Sequence, residues 1–384
     1  MTTLAAILHT FSPFVVRFSD GFGIRWYGLS YVAAFAIGWW LWRGIAKRGR
    51  SAIPAHRVAD AMMIVIVGTI VGGRLGYALV YDRALFTEFT SSPPWWGLLA
   101  INKGGMASHG GLMGLVAAAW VVARGFRDRI DADGVTTPAR GGAGSADSAT
   151  GRSGRCSTLH IMDILGLIAP PGLLLGRVAN FINGELLGRI VAPPGEGARA
   201  PWWSVQFPQE LLGWRGPGVI EPRSHTPALS SEQERLLWET TAKLRLPSDV
   251  GWGSAIDRLV AKASAHEGVL RQILSSRHPS QLYQAAAEGV VLGLALWFIW
   301  TRPLARRCDG VVAGSFFLIY GILRIVTEVW RLPDAQFAEG RPLGLSRGQW
   351  LSAAMIAAGI GIIVYGVRKG KALTTETQRA QRKA

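Results

Sequence analysis

Long apolar runs separated by short polar joints organise this chain. Mostly apolar stretches, each about the 17–25 residues that a bilayer core requires, lie near 24–42, 58–81, 107–123, 158–180, 283–301, 311–330 and 349–367. Their length is that of helices rather than strands, so the pattern predicts an all-α polytopic membrane protein with seven transmembrane helices. Residues 1–23 carry an apolar patch with no Lys or Arg ahead of it, which does not fit a cleaved leader and predicts an N-terminal arm. Helices one to three then occupy 24–125, helix four and its polar ending 158–189, helices five to seven 278–367, and a basic tail 368–384.

Two polar insertions interrupt this plan. Residues 126–157 include ARGGAGSADSATGRSGR, too poor in apolar side chains to build a core, and are expected to form a disordered cytoplasmic loop. Residues 190–277 have Pro and Gly punctuation followed by two amphipathic stretches, SSEQERLLWETTAKLRL and SAIDRLVAKASAHEGVLRQIL. They predict a small extracytoplasmic domain between helices four and five, with Trp202, Trp203, Trp214, Trp238 and Trp252 on a surface resting against lipid headgroups.

Composition agrees with a membrane protein: 49% of the 384 residues are hydrophobic and only 17% charged. Charge then supplies direction. Arg43, Lys47, Arg48, Arg50 and Arg57 follow helix one, Arg302, Arg306 and Arg307 follow helix five, and Arg368, Lys369 and Lys371 follow helix seven. Positive short loops face the cytoplasm, so the N-terminus is expected outside and the C-terminus inside. Scattered over several loops, the net charge of +16 points to topology and anionic membrane lipids, and to no nucleic acid. Cys156 and Cys308 both fall on the expected cytoplasmic side and are read as free thiols.

Depth along each helix singles out the candidate chemistry. Tyr27 opens helix one, Arg74 lies late in helix two, His109 opens helix three, and Arg177 and Asn180 close helix four. Tyr283 and Glu288 open helix five, while Tyr320, Arg324 and Glu328, spaced by four, form one stripe on helix six. All lie toward the outer ends of their helices. Side chains this costly to bury are expected to be paired or functional, and a shared level predicts one site. Its arginines suit a phosphate, which a planar guanidinium holds by two parallel hydrogen bonds; Glu185, Glu288 and Glu328 are the nearby counter-charges. Asp60, His160 and Asp163 lie at the inner ends and are assigned to packing or capping. Neither a metal nor another cofactor is expected, because His and Cys lack ligand spacing. A transporter would hold its cargo near the midplane between repeated halves, and no repeat is evident.

The stretch GRVANFINGELLGR (176–189) resembles the signature of the prolipoprotein diacylglyceryl transferase family. IRWYGLSY, GGMASHGGLMG, HPSQLYQAAAEG and YGILRIVTEVWRLPD match its other motifs in the same order, and PLGLSRGQWLS resembles the entry to its last helix. The chain departs from the usual pattern at Ala179, commonly Gly, and at Gln284, commonly Glu. The resemblance implies a bacterial inner-membrane enzyme that moves the diacylglyceryl group of phosphatidylglycerol onto the lipobox cysteine of a prolipoprotein signal peptide. It implies that Tyr27, His109, Arg177, Asn180, Gly188, Tyr320 and Arg324 matter, with Arg177 and Arg324 the most important; the shared depth adds His109, as base or thiolate partner, to the expected catalytic set. Arg74, Asn183, Glu185, Tyr283 and Glu328 complete the expected substrate-binding residues.

Overall fold

The computed structural model describes residues 6–19, 22–91, 93–100, 105–127, 152–222, 224–249, 251–332 and 347–381. Its helices are α1 (Trp26–Lys47), α2 (Val58–Val80), α3 (Ser108–Ala123), α4 (Thr158–Ile168), α5 (Pro170–Asn183), α6 (Ser231–Leu244), α7 (Gly253–Ala261), α8 (Glu267–Ile273), α9 (Ser280–Gln284), α10 (Leu292–Thr301), α11 (Pro303–Arg307), α12 (Val311–Glu328) and α13 (Arg347–Gln381). A π-helical turn, Ala285–Val291, joins α9 to α10 and makes Ser280–Thr301 one apolar rod.

Among the described residues, length and composition qualify four helices to cross a membrane: Val58–Val80, Ser280–Thr301, Val311–Glu328 and Gly348–Ala372. A fifth span results if α4 and α5 count as one. The expected single helix over 158–180 is instead bent by 42° at the Pro170-Pro171 step, where proline can donate no backbone hydrogen bond. α3 is apolar but shorter, and α1, rich in Trp, Tyr and Gly, is long enough but less apolar than these four. The protein is thus a mostly helical, polytopic membrane protein. The last helix also exceeds its expected end, continuing through much of the basic tail to Gln381.

Two compact units divide the chain. The first comprises residues 1–33, 170–292 and 318–357; the second comprises 34–169, 293–317 and 358–384.

The first unit adds β-structure to the expected all-helical plan. Ile7–Leu8, from the arm, pairs in parallel with Val205–Gln206; Ser276–Arg277 and then Ile190–Ala192 extend this sheet antiparallel. The arm continues as a hairpin, Phe14–Ser19 with Phe22–Arg25. His9, almost fully buried, donates from Nε2 to the Phe181 carbonyl at 2.7 Å and so ties the arm to α5. Burial pushes its pKa below the usual imidazole value, which keeps the ring neutral.

Residues 190–277, expected to be a small domain, lie within the first unit and include their own apolar cluster. Ser230 and Gln233 make a reciprocal capping box at the start of α6, and the second amphipathic stretch divides into α7 and α8 around Ala263–His266. Their apolar faces close over Leu211, Leu237, Ile256, Leu259, Leu270 and Ile273. The tryptophans separate into two roles. Trp214 is wholly buried in this core against Trp252, which also packs on Trp238; the expected headgroup surface is wrong for Trp214 because its ring completes the core. Trp202 is exposed.

In the second unit α2 and α3 touch backbone to backbone. A Cβ added at Gly114 would lie 2.0 Å from the Gly68 carbonyl oxygen, and one at Gly72 would lie 2.4 Å from that of Gly110. Only glycines permit such an approach, a common device between membrane helices. Asp163 caps α12: its oxygens accept from the Gly310 and Ala313 amides, both at 2.7 Å, as the capping assignment expected. The loop expected to be disordered over 126–157 is ordered at its ends, where Phe126–Arg127 pairs with Arg152–Ser153 and Ser157 caps α4; its residues 128–151 lie outside the described residues.

Candidate active site

The signature stretch begins as the last turns of α5 and ends in a helix stop. Gly184 takes φ +68°, and the amides of Gly184 and Glu185 bond back to the carbonyls of Phe181 and Asn180. This is a left-handed glycine C-cap, the reason for Asn-Gly at this point. Leu186 follows with φ +56°, a strained value for a branched side chain. The turn returns the Glu185 carboxylate over the helix end, where it accepts from Asn180 Nδ2 and Asn183 Nδ2, both at 3.2 Å. Tyr31 lies near enough to feel the Glu185 charge, and its hydroxyl donates to that of Tyr27 at 3.3 Å. Tyr27, Asn180, Asn183 and Glu185 therefore form one polar cluster.

Beyond the turn, residues 187–189 are held on both sides by the other motif segments. Gly188 bridges antiparallel to Arg331, the Arg189 amide donates to Trp330 O at 2.9 Å, and the Leu332 amide donates to Leu187 O at 3.1 Å. Opposite, His278 N donates to Arg189 O at 3.0 Å, and a Cβ on Gly188 would lie 2.1 Å from His278 O. At Gly188 the lack of a side chain thus admits the chain's own backbone. Arg277 Nη1 donates to Gly188 O at 3.2 Å, while its Nε donates to the buried Glu210 at 2.6 Å. Trp203, His278, Tyr283 and Trp330 continue from there as consecutive ring contacts of 5.1, 5.9 and 5.8 Å.

The arginines occupy the helical part of the same unit. Arg177 donates from Nε and Nη2 to Glu288 Oε2 at 2.9 and 2.8 Å, and Glu288 is fully buried. The π-helical turn allows this: Gly289 meets Leu174 so closely that an added Cβ would lie 2.6 Å from the leucine Cβ. Glu288 is thereby brought against Arg177, one turn along α5. Such turns recur at functional sites. Arg324 pairs with Glu328 at 2.5 Å, as the stripe on α12 predicts, and both side chains are about nine-tenths buried, 13% and 14% exposed. Tyr320 hydrogen-bonds Arg177 and lies within electrostatic reach of Arg324. Two guanidiniums, each balanced by one carboxylate, therefore meet around one phenol. A dry ion pair adds little net stability, since desolvation offsets its attraction. Each pair instead holds its guanidinium charged and oriented.

The other two predicted residues belong to the second unit. Arg74 is buried, and its donors already hold the carbonyls of Leu98 at 2.9 Å, Gly97 at 2.6 Å and Gly105 at 2.8 Å. Its visible work is to fasten the segment after α2. His109 is exposed in the first turn of α3, beside the glycine contact with α2.

Sequence reasoning missed Tyr31 and the extent of the 277–284 segment. Tyr31 is four residues after Tyr27 on one helix, a spacing that marks it as a neighbour. Gln281 and Gln284, both wholly buried, carried no signal beyond their place in HPSQLYQ. Gln281 Nε2 reaches the Glu185 carbonyl at 2.5 Å.

Comparison with known proteins agrees with this assembly. The model of a family described as prolipoprotein diacylglyceryl transferase matches residues 13–138 and 145–365. A Bdellovibrio bacteriovorus protein called phosphatidylglycerol–prolipoprotein diacylglyceryl transferase is 35% identical over 372 residues, covering 94% of each chain. Proteins of the same name from Roseobacter denitrificans and Xanthomonas oryzae pv. oryzae are each 32% identical, covering 90% and 94% of this chain and 91% and 93% of their own. On this extent of similarity the chain belongs to the prolipoprotein diacylglyceryl transferase family.

Proposed function

We infer that the chain performs its family's reaction and that Arg177 and Arg324 are the groups that grip the lipid phosphate. The chain transfers the diacylglyceryl group of phosphatidylglycerol to the thiol of a prolipoprotein's lipobox cysteine. A sulfur–carbon bond forms at the glycerol carbon bearing the phosphate ester, the carbon–oxygen bond breaks, and its electron pair leaves on glycerol phosphate. The thiol proton must go to a base, because a cysteine with an ordinary pKa of about 8.5 is mostly protonated at neutral pH.

One observation carries the phosphate assignment: Arg177 and Arg324, each matched to a single carboxylate, converge on Tyr320. A phosphate entering there gains two fork-like donors as charge grows on its leaving oxygen, a form of stabilisation often worth about 2.7–4 kcal/mol per donor. Tyr27, Asn180, Asn183, Glu185 and Tyr283 orient the headgroup, Gly188 fixes the backbone beside it, and Glu328 balances Arg324. His109 is the base. Arg74 supports the segment after α2 and contributes its charge from there. The seven-span arrangement, with the N-terminus outside, residues 190–277 extracytoplasmic and the site toward the outer leaflet of the bacterial inner membrane, rests on the basic loops and on the depth shared by the polar residues.

Mass spectrometry of a lipobox peptide incubated with phosphatidylglycerol and purified protein tests the reaction; a diacylglyceryl thioether is expected. Arg177→Lys and Arg324→Lys keep the charge but lose the planar fork. Both are expected to insert normally and lose most transfer, while Arg189→Lys is milder. Full activity in either lysine variant would reduce that arginine to a counter-ion.

A further inference from the structure

The second unit has a cleft lined by none of the candidate site residues, about 510 Å³ in volume and bounded by Arg50, Ser51, His160, Trp300, Arg306 and Asp309. It lies where α1, α10 and α11 end or turn and α4 begins. Trp300 is the penultimate residue of the apolar rod Ser280–Thr301, so the cleft opens at a membrane edge whichever way the chain is oriented.

Its charges are unevenly satisfied. Asp163, at the cleft floor, is used by the Gly310 and Ala313 amides. Asp309 accepts from Ser157 Oγ at 2.6 Å and faces His160 Nδ1 at 3.5 Å, with Lys369 also within electrostatic reach. Those hydrogen bonds hold its carboxyl below the usual carboxylate range, so it stays charged and occupied. His160 is fixed on its other side, where Nε2 accepts from the Ala52 amide at 3.0 Å. The two arginines have no such match: among the described residues, neither Arg50 nor Arg306 forms an ion pair with a carboxylate. Arg50 stacks on the Trp300 ring, 4.3 Å from its centroid, and gives one donor to Trp300 O at 2.6 Å. Burial first, and then the Arg306 charge, lower its pKa. Arg306 is exposed. Two like charges border one cleft, and an anion held between them would relieve their repulsion.

We propose that this cleft binds a phosphate-bearing anion, namely the headgroup of an acidic phospholipid, between Arg50 and Arg306 with its glycerol against Trp300. Guanidinium forks suit phosphate oxygens, and the apolar wall and membrane-edge position favour a lipid over the free ion. The site is separate in sequence from Arg177 and Arg324 and does not depend on their assignment.

Native mass spectrometry of the full chain, titrated with short-chain phosphatidylglycerol, tests it. Arg306 makes no side-chain contact within the protein among those described, so Arg306→Gln and Arg306→Glu should fold normally. They are expected to weaken one lipid-binding event about tenfold or more, the glutamate more than the glutamine, and to leave transfer activity intact. Arg50→Gln should weaken the same event, while Arg177→Lys should leave it unchanged. Equal binding by wild type and Arg306→Glu overturns the proposal, and so does equal retention of zwitterionic phosphatidylcholine at this event. Inorganic phosphate that occupies the cleft in an Arg306-dependent way, with no lipid binding there, supports the phosphate chemistry and makes the free ion its source.

Discussion

Individual side chains decide the chemistry, and their partners were unequally readable. The Arg324–Glu328 pair was legible because both residues lie on one helix face, four positions apart. Arg177 was not matched correctly by proximity in sequence: Glu185, eight positions on, belongs to Asn180 and Asn183, and the true partner Glu288 is 111 positions away. No local pattern announces a contact made by a π-helical turn packing against a bent helix. The distinction matters for experiment. Removing Glu288 leaves Arg177 buried without its balance, a change expected to destabilise by about 3–5 kcal/mol, so Glu288 variants report folding before catalysis. His109 is a cleaner target because it is exposed. His109→Gln keeps a hydrogen-bonding end but cannot accept a proton, and the turnover number should fall about 10²–10⁴-fold, the range for general-base removal. Turnover near that of the parent would remove His109 from the chemistry and redirect attention to His278. That imidazole belongs to the first unit and is kept neutral by burial and by the Arg189 charge.

Elements were predicted best where one periodicity rules and worst where a break depends on packing. The apolar runs gave all the long helices, and the capping residues of α6 were visible in SSEQ. The bend between α4 and α5, the π-helical turn and the sheet formed by the arm were not. Two-residue strands carry too few positions to alternate, and Ile7–Leu8 acquires its partner nearly two hundred residues later. The glycine pairs flanking His109 in GGMASHGGLMG are of the kind that lets another helix approach closely, and α2 is that helix. This contact is directly testable. A methyl at Gly114 meets the Gly68 backbone, which cannot rotate away, so Gly114→Ala should destabilise the α2–α3 pair by about 1–3 kcal/mol, the usual cost of overpacking. Gly361, on α13, has open space where its Cβ would be. Gly361→Ala should be neutral or slightly stabilising, since alanine loses less backbone freedom in a helix. Thermal unfolding in one detergent compares the two, and equal melting temperatures would show that the α2–α3 contact tolerates a methyl.

At the scale of the whole molecule, orientation decides the leaflet in which Arg177 and Arg324 lie. Native thiols are poor reporters. Cys308 is buried, and burial pushes the Cys156 thiol up to about 12, so each would resist a thiol reagent from either side of the membrane. Silence from these residues therefore carries no topological information. Introduced cysteines at exposed positions avoid the difficulty. Arg48 follows α1 within the most basic loop, and Ser231 opens α6 of the small subdomain; both are exposed. In a chain with Cys156→Ala and Cys308→Ala, the positive-inside rule assigns Arg48 to the cytoplasm and Ser231 to the opposite side. A membrane-impermeant thiol reagent applied to intact cells should then label Ser231→Cys and spare Arg48→Cys until the membrane is broken. The reverse pattern would place the subdomain in the cytoplasm and move the Arg177 and Arg324 site to the inner leaflet, where an exported lipoprotein precursor could not meet it after translocation.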